Sequence, residues 1–368
     1  MSGKNLGIYI HIPFCNGKCP YCSFYSITPN ELAIKNYVDK VCENIKVWGK
    51  SLCHTVDTIY IGGGTPSSIN SHFIADIILA IKESFRHDLK EITIEVNPCN
   101  HNLIDFELLN NIGVNRVSIG AQSLNPSELK LLGRKHNVSD IISTIKKCRK
   151  NNINNLSLDL MIGIPNQDSK SLTNSLEFCV EQKIPHVSCY ILKVEENTPY
   201  FYMKDTIPFL NDDEQSDLYE LMCEKLKKSG YNHYEISNFC LENYQSKHNL
   251  KYWQCKEYLG IGPSAHSFVD GERFYYKNSI NDFLSGCEIV KDGNGGSIEE
   301  YCMLALRLSS GLDNSEFLKK FNCNIPHKYF KKAKEMEKYG VVKCEDNKIK
   351  LTDKGFLLSN SIILNIIY

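Results

Sequence analysis

The chain has 368 residues, of which 42% are apolar and 23% charged, and its formal net charge is −1. This length exceeds what one compact core usually serves and predicts a large domain with a smaller one beside it. Near-neutrality excludes a nucleic-acid binder driven by a global basic field, and no run reaches the ~20 apolar residues of a membrane span.

Short β-branched runs at 6–12, 55–61, 91–96, 115–119, 156–161 and 186–191 predict six strands. Helical patterns at 31–48, 73–85, 104–110, 140–150 and 172–182 lie between them. Strand–helix alternation of this kind is the signature of parallel βα units. Six units predict an α/β fold with an incomplete barrel instead of a closed eight-stranded one. Past Tyr200 the alternation stops. Residues 211–228 read as a helix opened by the acids of "NDDE". "DGNGGS" at 292–297 reads as a linker, and 298–308, 315–321 and 327–338 read as helices. "GVVKCEDNKIKLT" predicts a small hairpin before a final helix from Asp353, a winged-helix-like arrangement. The expected organisation is a barrel over 1–205, a connecting region over 206–295 and a C-terminal helical domain over 296–368.

Three cysteines, Cys15, Cys19 and Cys22, stand close together in "HIPFCNGKCPYCSFYS", spaced C-x3-C-x2-C. Pro13, Gly17 and Pro20 make this a loop, which can turn three thiolates toward one centre. A structural zinc site usually takes four ligands from two paired elements, and no second pair stands nearby. A disulfide would leave an odd cysteine. A [4Fe–4S] cluster is normally held by four thiolates, so three would leave one iron open to a small chelating molecule. The remaining thirteen of the sixteen cysteines, such as Cys148, Cys179 and Cys223, sit isolated in apolar or helical runs and read as reduced buried thiols. With no secretory signal evident, a reducing cytoplasm is expected.

Polar groups gather at the predicted strand ends. "YIGGGTPSS" follows the second strand, and its glycines allow close backbone approach to a bound molecule. Glu95 ends the third strand, Gln122 follows the fourth, "LGRKH" supplies Arg134, and Asp159 lies on the fifth. Barrel sites form at the C-terminal ends of strands. Each group alone reads equally well as a cap or surface residue; their shared location points to a site. Further on, "HNLKYW" places His248 and Tyr252 on one helical face. Imidazole is a common heme ligand, and Tyr252 and Trp253 offer flat apolar surface. The alternative is a core histidine among packed aromatics, and His266 in "GPSAHS" is a rival ligand.

The three-cysteine loop after a first strand resembles that of the radical S-adenosylmethionine proteins, whose open iron binds the amino and carboxylate groups of S-adenosylmethionine. "GIYIHIPFCNGKCPYC", "IGGGTPS", "RVSIGAQS", "LLGRKH", "SLDLMIGIPNQ", "YEISNF", "HNLKYWQCKEYLGIGPSAHS", "LRLSSGLD" and "LTDKGFLLSN" together resemble the oxygen-independent coproporphyrinogen III oxidase superfamily over nearly the whole chain. The resemblance implies a partial (β/α)6 barrel with a winged-helix-like C-terminal region. It also implies that Tyr9, Gly63, Gly64 and Thr65 contact S-adenosylmethionine, that Arg134 pairs with its carboxylate, and that Glu95, Gln122 and Asp159 address its amino group or ribose. Two branches differ. The oxidase has a fourth cysteine two residues after the third, where this chain has Phe24, and a long arm before its cluster loop. The heme-chaperone branch has Phe there and an H-N-x-x-Y-W motif, matched by His248, Asn249, Tyr252 and Trp253. The expectation is a heme-binding chaperone that passes heme to an acceptor hemoprotein, carrying a [4Fe–4S] cluster and S-adenosylmethionine. The alternative is a radical decarboxylase of coproporphyrinogen III. No nucleic-acid partner is expected, and any membrane contact would come through the acceptor.

Overall fold

The six β-branched runs fold as parallel strands: β1 (Asn5–Ile12), β2 (Thr55–Gly63), β3 (Arg86–Val96), β4 (Arg116–Gln122), β5 (Asn155–Ile162) and β6 (His186–Ile191). They lie side by side in chain order in a computed structural model that describes residues 4–28 and 30–368. Successive side chains of a strand point to opposite faces, and here the two faces differ in kind. Leu6, Ile8, Ile10 and Ile12 of β1, Ile59 and Ile61 of β2, and Val117 and Ile119 of β4 are buried in the apolar core shared with the helices. The alternate residues form a polar inner face that includes Thr58, Glu91, Thr93, Arg116, Ser118, Ser157, His186 and Ser188, all buried.

The intervening helices begin where an Asn or Asp can cap the free backbone N–H groups. Asn30 accepts from Ala33 N–H, Asn70 from His72 N–H, Asn137 from Ser139 and Asp140 N–H, and Asp168 from Ser171 N–H. The "NDDE" helix is Asp212–Lys228, and Asn211 with Glu214 forms a capping box at its start.

The barrel does not close. The second neighbour of β1 is β9 (Tyr258–Ile261), running parallel to it, and the second neighbour of β6 is β8 (Asn238–Cys240), running antiparallel. Beyond β8 lies β7 (Asn232–Glu235); beyond β9 lie β10 (His266–Val269), β11 (Glu272–Tyr276) and β12 (Ile289–Asn294). The region that follows the βα alternation therefore extends both edges of the same sheet to twelve strands. These strands are three to six residues long, too short to carry a period in the sequence. "DGNGGS" is in part strand, since β12 runs through Asn294.

The C-terminal region has helices Ile298–Ala305, Asn314–Phe321 and His327–Glu337, then the expected hairpin as β14 (Val342–Glu345) and β15 (Lys348–Leu351). The two-residue β13 (Leu312–Asp313) completes its three-stranded sheet. Helices Asp353–Leu357 and Ser359–Ile367 close the chain, the second burying Ile362, Ile363, Ile366 and Ile367. Among the described residues no helix is long and apolar enough to cross a membrane.

One inner-face carboxylate anchors the segment that carries the H-N-x-x-Y-W residues. Glu91, 2% exposed, accepts the backbone N–H groups of Lys247 at 2.9 Å and His248 at 3.0 Å. It thereby holds the start of helix Lys247–Trp253, whose Lys251 reaches Asp57 at 2.7 Å. Glu91→Ala leaves two backbone donors, one of them buried, and the buried Arg116 short of a negative partner. It is expected to destabilise the fold by about 3 kcal/mol or more, read as a lower urea midpoint at unchanged slope. Glu91→Gln, which keeps one acceptor, should lose less.

Candidate cluster and cofactor site

Past β1 the chain enters an irregular loop that is closed at its base by two backbone hydrogen bonds. Cys15 N–H donates to the Ile27 carbonyl at 3.0 Å, and Ile27 N–H to the Pro13 carbonyl at 2.7 Å. Inside it, Cys22 N–H donates to the Cys19 carbonyl at 3.1 Å. The three thiols are half-exposed, and burial pushes the Cys22 thiol above its ordinary range. Tyr200 N–H binds the Pro20 carbonyl at 3.0 Å and Lys135 binds the Asn16 carbonyl at 3.0 Å, so two later segments fix the loop from outside.

The structure brings several sequence-predicted residues to these thiols. Thr65 Oγ1 lies 3.1 Å from Cys15 Sγ, and Arg134 Nη1 lies 3.8 Å from Cys19 Sγ. Arg134 also donates through Nη2 to the Gly120 carbonyl at 2.7 Å, while its buried Nε has no partner. Gln122 ends β4 in a left-handed conformation, φ 67°. A Cβ at Gly120 would lie 3.1 Å from its amide and 3.3 Å from Arg134 Nη2, so the two side chains share one corner. The glycine turn serves the loop directly. Gly64 N–H donates to the Ile12 carbonyl at 2.8 Å, and a Cβ there would come within 2.9 Å of the Ile12 and Phe14 carbonyls. Gly63, at φ +112°, would drive a Cβ to 2.6 Å from the His11 ring.

Glu95 stands behind the turn, accepting Tyr60 O–H at 2.8 Å and Gly63 N–H at 3.2 Å. Burial raises its carboxyl to about 7 even though both hydrogen bonds pull the other way. Tyr9 donates to His11 Nδ1 at 3.0 Å, and His11 Nε2 donates to the Tyr25 carbonyl at 3.1 Å. Asp159 lies deeper on the inner face and accepts from Ser118 at 3.0 Å and Ser157 at 3.2 Å.

His248 and Tyr252 face the barrel interior, with His248 Nε2 2.9 Å from the Tyr252 hydroxyl and Nδ1 2.9 Å from Thr58 Oγ1. The ring is fully buried against Tyr60, and burial, followed by the Lys251 ammonium, lowers its pKa to about 3. Trp253 turns the other way, into a cavity of about 600 Å³ shared with Tyr301 and Leu308 of the C-terminal region. His266 is exposed and stacked on Tyr275, with ring centroids 5.0 Å apart. A larger cavity of about 920 Å³ opens at the other end of the barrel, beside Lys4, Asn5 and Asp57, away from the cysteines.

A sequence profile of the Radical SAM superfamily matches residues 9–179, and one of the HemN C-terminal domain matches 297–358. A heme chaperone HemW of Lactococcus lactis is 32% identical over 98% of this chain and 97% of its own length. The chain belongs to the HemW family. Another member, from Buchnera aphidicola of Schizaphis graminum, is 34% identical over 97% of both chains. The structure superposes on coproporphyrinogen III oxidase (HemN) from Escherichia coli with a TM-score of 0.83, covering 100% of this chain and 91% of that one. At 20% identity that likeness is one of fold.

Radical SAM membership implies a [4Fe–4S] cluster and S-adenosylmethionine, and the residues present fit them. Three half-exposed thiols share one loop, and the unpartnered Nε of Arg134 is a buried donor beside them. Sequence reasoning missed His11, Tyr60, Arg116 and Ser118, which hold the site residues from the inner face. The signal was there: a polar residue at every second position inside apolar strands, as in "RVSIG" and "SLDLM".

The raised Glu95 carboxyl sets a pH dependence. The unfolded glutamate loses its proton near 4.3 and the folded one near 7. Between those values the folded chain holds the extra proton, so stability is full below the window and falls as pH rises through it. Glu95→Gln in cofactor-free protein should flatten the melting temperature between pH 5 and pH 8 and melt above wild type at pH 8. A parallel pH profile for both proteins would refute the raised carboxyl.

Proposed function

We propose that this chain is a heme chaperone that binds heme and delivers it to an acceptor hemoprotein, with its [4Fe–4S] cluster and S-adenosylmethionine in a regulatory or transfer role. The observation that carries the reading is Phe24. It stands two residues after Cys22, is 67% exposed, and supplies no thiol where the oxidase branch has its fourth cysteine. Relatives matched over 98% and 97% of this chain are named as heme chaperones. A reducing cytoplasm suits sixteen cysteines without a disulfide among the described residues.

In this reading Cys15, Cys19 and Cys22 would hold the cluster, whose open iron would bind the amino and carboxylate groups of S-adenosylmethionine. Arg134 would pair with the carboxylate of that molecule, Glu95, Gln122 and Asp159 would address its amino group or ribose, and Tyr9 with the Gly63–Thr65 turn would contact it. Replacing any one cysteine of the triad with alanine should abolish the brown chromophore after anaerobic reconstitution, while Cys179→Ala, at a buried site in a helix, retains it. Unchanged iron and sulfide in the triad variants would refute the assignment.

His248 is the proposed iron ligand, and the structure adds a condition: its Nε2 is engaged by the Tyr252 hydroxyl. Ligation requires that hydrogen bond to open. The test is one anaerobic comparison, in which reconstituted protein receives coproporphyrinogen III with S-adenosylmethionine, or heme. Heme should bind, and protoporphyrinogen IX should not form above the protein-free control. Robust decarboxylation would instead establish the oxidase. His248→Ala should weaken heme binding roughly tenfold or more, and Tyr252→Phe, which frees Nε2, should tighten it about fivefold. A normal Soret band in His248→Ala with loss in His266→Ala moves the ligand to His266.

A further inference from the structure

The cavity into which Trp253 turns lies between the end of helix Lys247–Trp253 and the C-terminal region, and its walls differ in kind. Half-buried Trp253 and Tyr301, with the buried Ala305 and Leu308, supply aromatic and apolar surface. Lys256 and Lys320 line this cavity and also the larger one of about 920 Å³. Both lysines reach solvent, so the charged side of the site is its wet side. The Arg307 guanidinium lies 5.9 Å over the Trp253 ring and donates to Asn360 Oδ1 at 2.8 Å.

The charges around these walls do not balance. Asp313 is paired with Lys348 at 2.6 Å and Glu316 with Lys319 at 2.7 Å, which accounts for the acids of this cavity. Beside the larger cavity, Lys4 holds Glu257 and Asp270, and Lys251 holds Asp57 at 2.7 Å. Among the described residues, Lys256, Lys320 and Arg307 are left without a carboxylate partner. The Lys320 ammonium donates to the Cys255 carbonyl at 3.2 Å and stands 5.4 Å from the Tyr301 ring centroid. Partial burial, followed by the Lys251 ammonium, lowers the Lys256 pKa, the opposite of what an ion-pair partner does. Burial likewise lowers that of Arg307. Cations partly withdrawn from water and left unpaired cost stability, and an anion arriving between them recovers it.

We propose that this cavity seats the porphyrin of heme, with its flat face on Trp253 and Tyr301 and its carboxylates on Lys256 and Lys320. The inference rests on the heme-chaperone reading and gives the ligand a place. Small-molecule sites of roughly 300–1,000 Å³ combine an apolar wall with a few placed polar groups, and this cavity of about 600 Å³ does so. Aromatic walls favour a large flat π system, and two lysines at the wet edge suit two carboxylates. A phosphate would leave the aromatic walls unused, and a purely apolar ligand would leave the lysines unpaired. The larger cavity is the poorer seat, because Asp57, Glu257 and Asp270 line it and repel a carboxylate. His248 faces the barrel from the same helix. The porphyrin is therefore held here by its face and its carboxylates, without a bond to its iron.

The test is equilibrium dialysis of full-length, cluster-loaded protein against metal-free protoporphyrin IX, which has the ring and both carboxylates but no iron. Its dimethyl ester, in the same mild detergent, is the second ligand. The free acid should bind, and the ester should bind roughly tenfold more weakly. Lys256→Gln and Lys320→Gln should each weaken the acid about threefold or more and leave the ester unchanged. Both lysines are exposed, so these variants keep the fold. Lys331→Gln, exposed on helix His327–Glu337, should change neither ligand. Trp253→Leu should weaken acid and ester alike, by roughly tenfold. Equal affinity for acid and ester, or full affinity in both lysine variants, overturns the assignment. So does a protein that binds heme but not the metal-free porphyrin, an outcome that leaves the chaperone reading standing on an iron ligand. A protein that binds neither overturns both.

Discussion

The hydrogen bond from Gly64 N–H to the Ile12 carbonyl joins the two turns on which the cysteine site depends. One turn leaves β1 and carries the three thiols; the other leaves β2 and leads to Thr65. Two parallel strands set their C-terminal ends beside each other, but parallel pairing alone leaves the following loops free. This contact removes that freedom. It works only because residues 63 and 64 have no side chain, since a Cβ at either would meet the His11 ring or the Ile12 and Phe14 carbonyls. The Tyr37 hydroxyl, bonded to the His11 carbonyl, secures the same segment from the helix side. The glycines thus shape the protein's own loop before they admit any ligand.

Behind this junction, the inner face of the sheet is a buried polar surface inside an apolar shell. Ser118 and Ser157 hold Asp159, the backbone of Lys247 and His248 holds Glu91, and the buried Arg116 charge serves both, in a medium where each electrostatic contact weighs more than in water. Such a lining suits a small, charged and many-handed ligand better than a purely apolar one. The same backbone serves the coproporphyrinogen III oxidase that superposes on it, so the architecture leaves function to particular residues. Phe24 and the segment from His248 to Trp253 are where that distinction has to be argued.

The parallel core was legible because each strand announced itself with β-branched residues and helical patterns alternated with them. The cysteine loop was legible from its spacing taken together with the strand that precedes it. Residues 232–294 were not, because strands of three to six residues pair through backbone groups that leave no mark on side-chain pattern. Arg134 and Thr65 were chosen from motifs, and the structure sets both beside cluster-loop sulfurs. The enclosure of His248 was hidden for a different reason. Whether a histidine is free or closed off depends on Thr58, distant in sequence, and on which face of a seven-residue helix meets the barrel.

The pairing of β1 with β9 also bears on the order in which the protein takes shape. Gly7 lies opposite Tyr258, and Lys4 meets Glu257 across 253 positions of chain. As the polypeptide emerges from the ribosome, the strand leading to the cysteine loop finds β2 early but keeps one bare edge until residue 261 has been made. Loop closure over such a span is slow, and a bare edge recruits other strands. A chain stopped before β9 therefore leaves that flank of β1 unpaired, and one that extends past residue 261 can cover it.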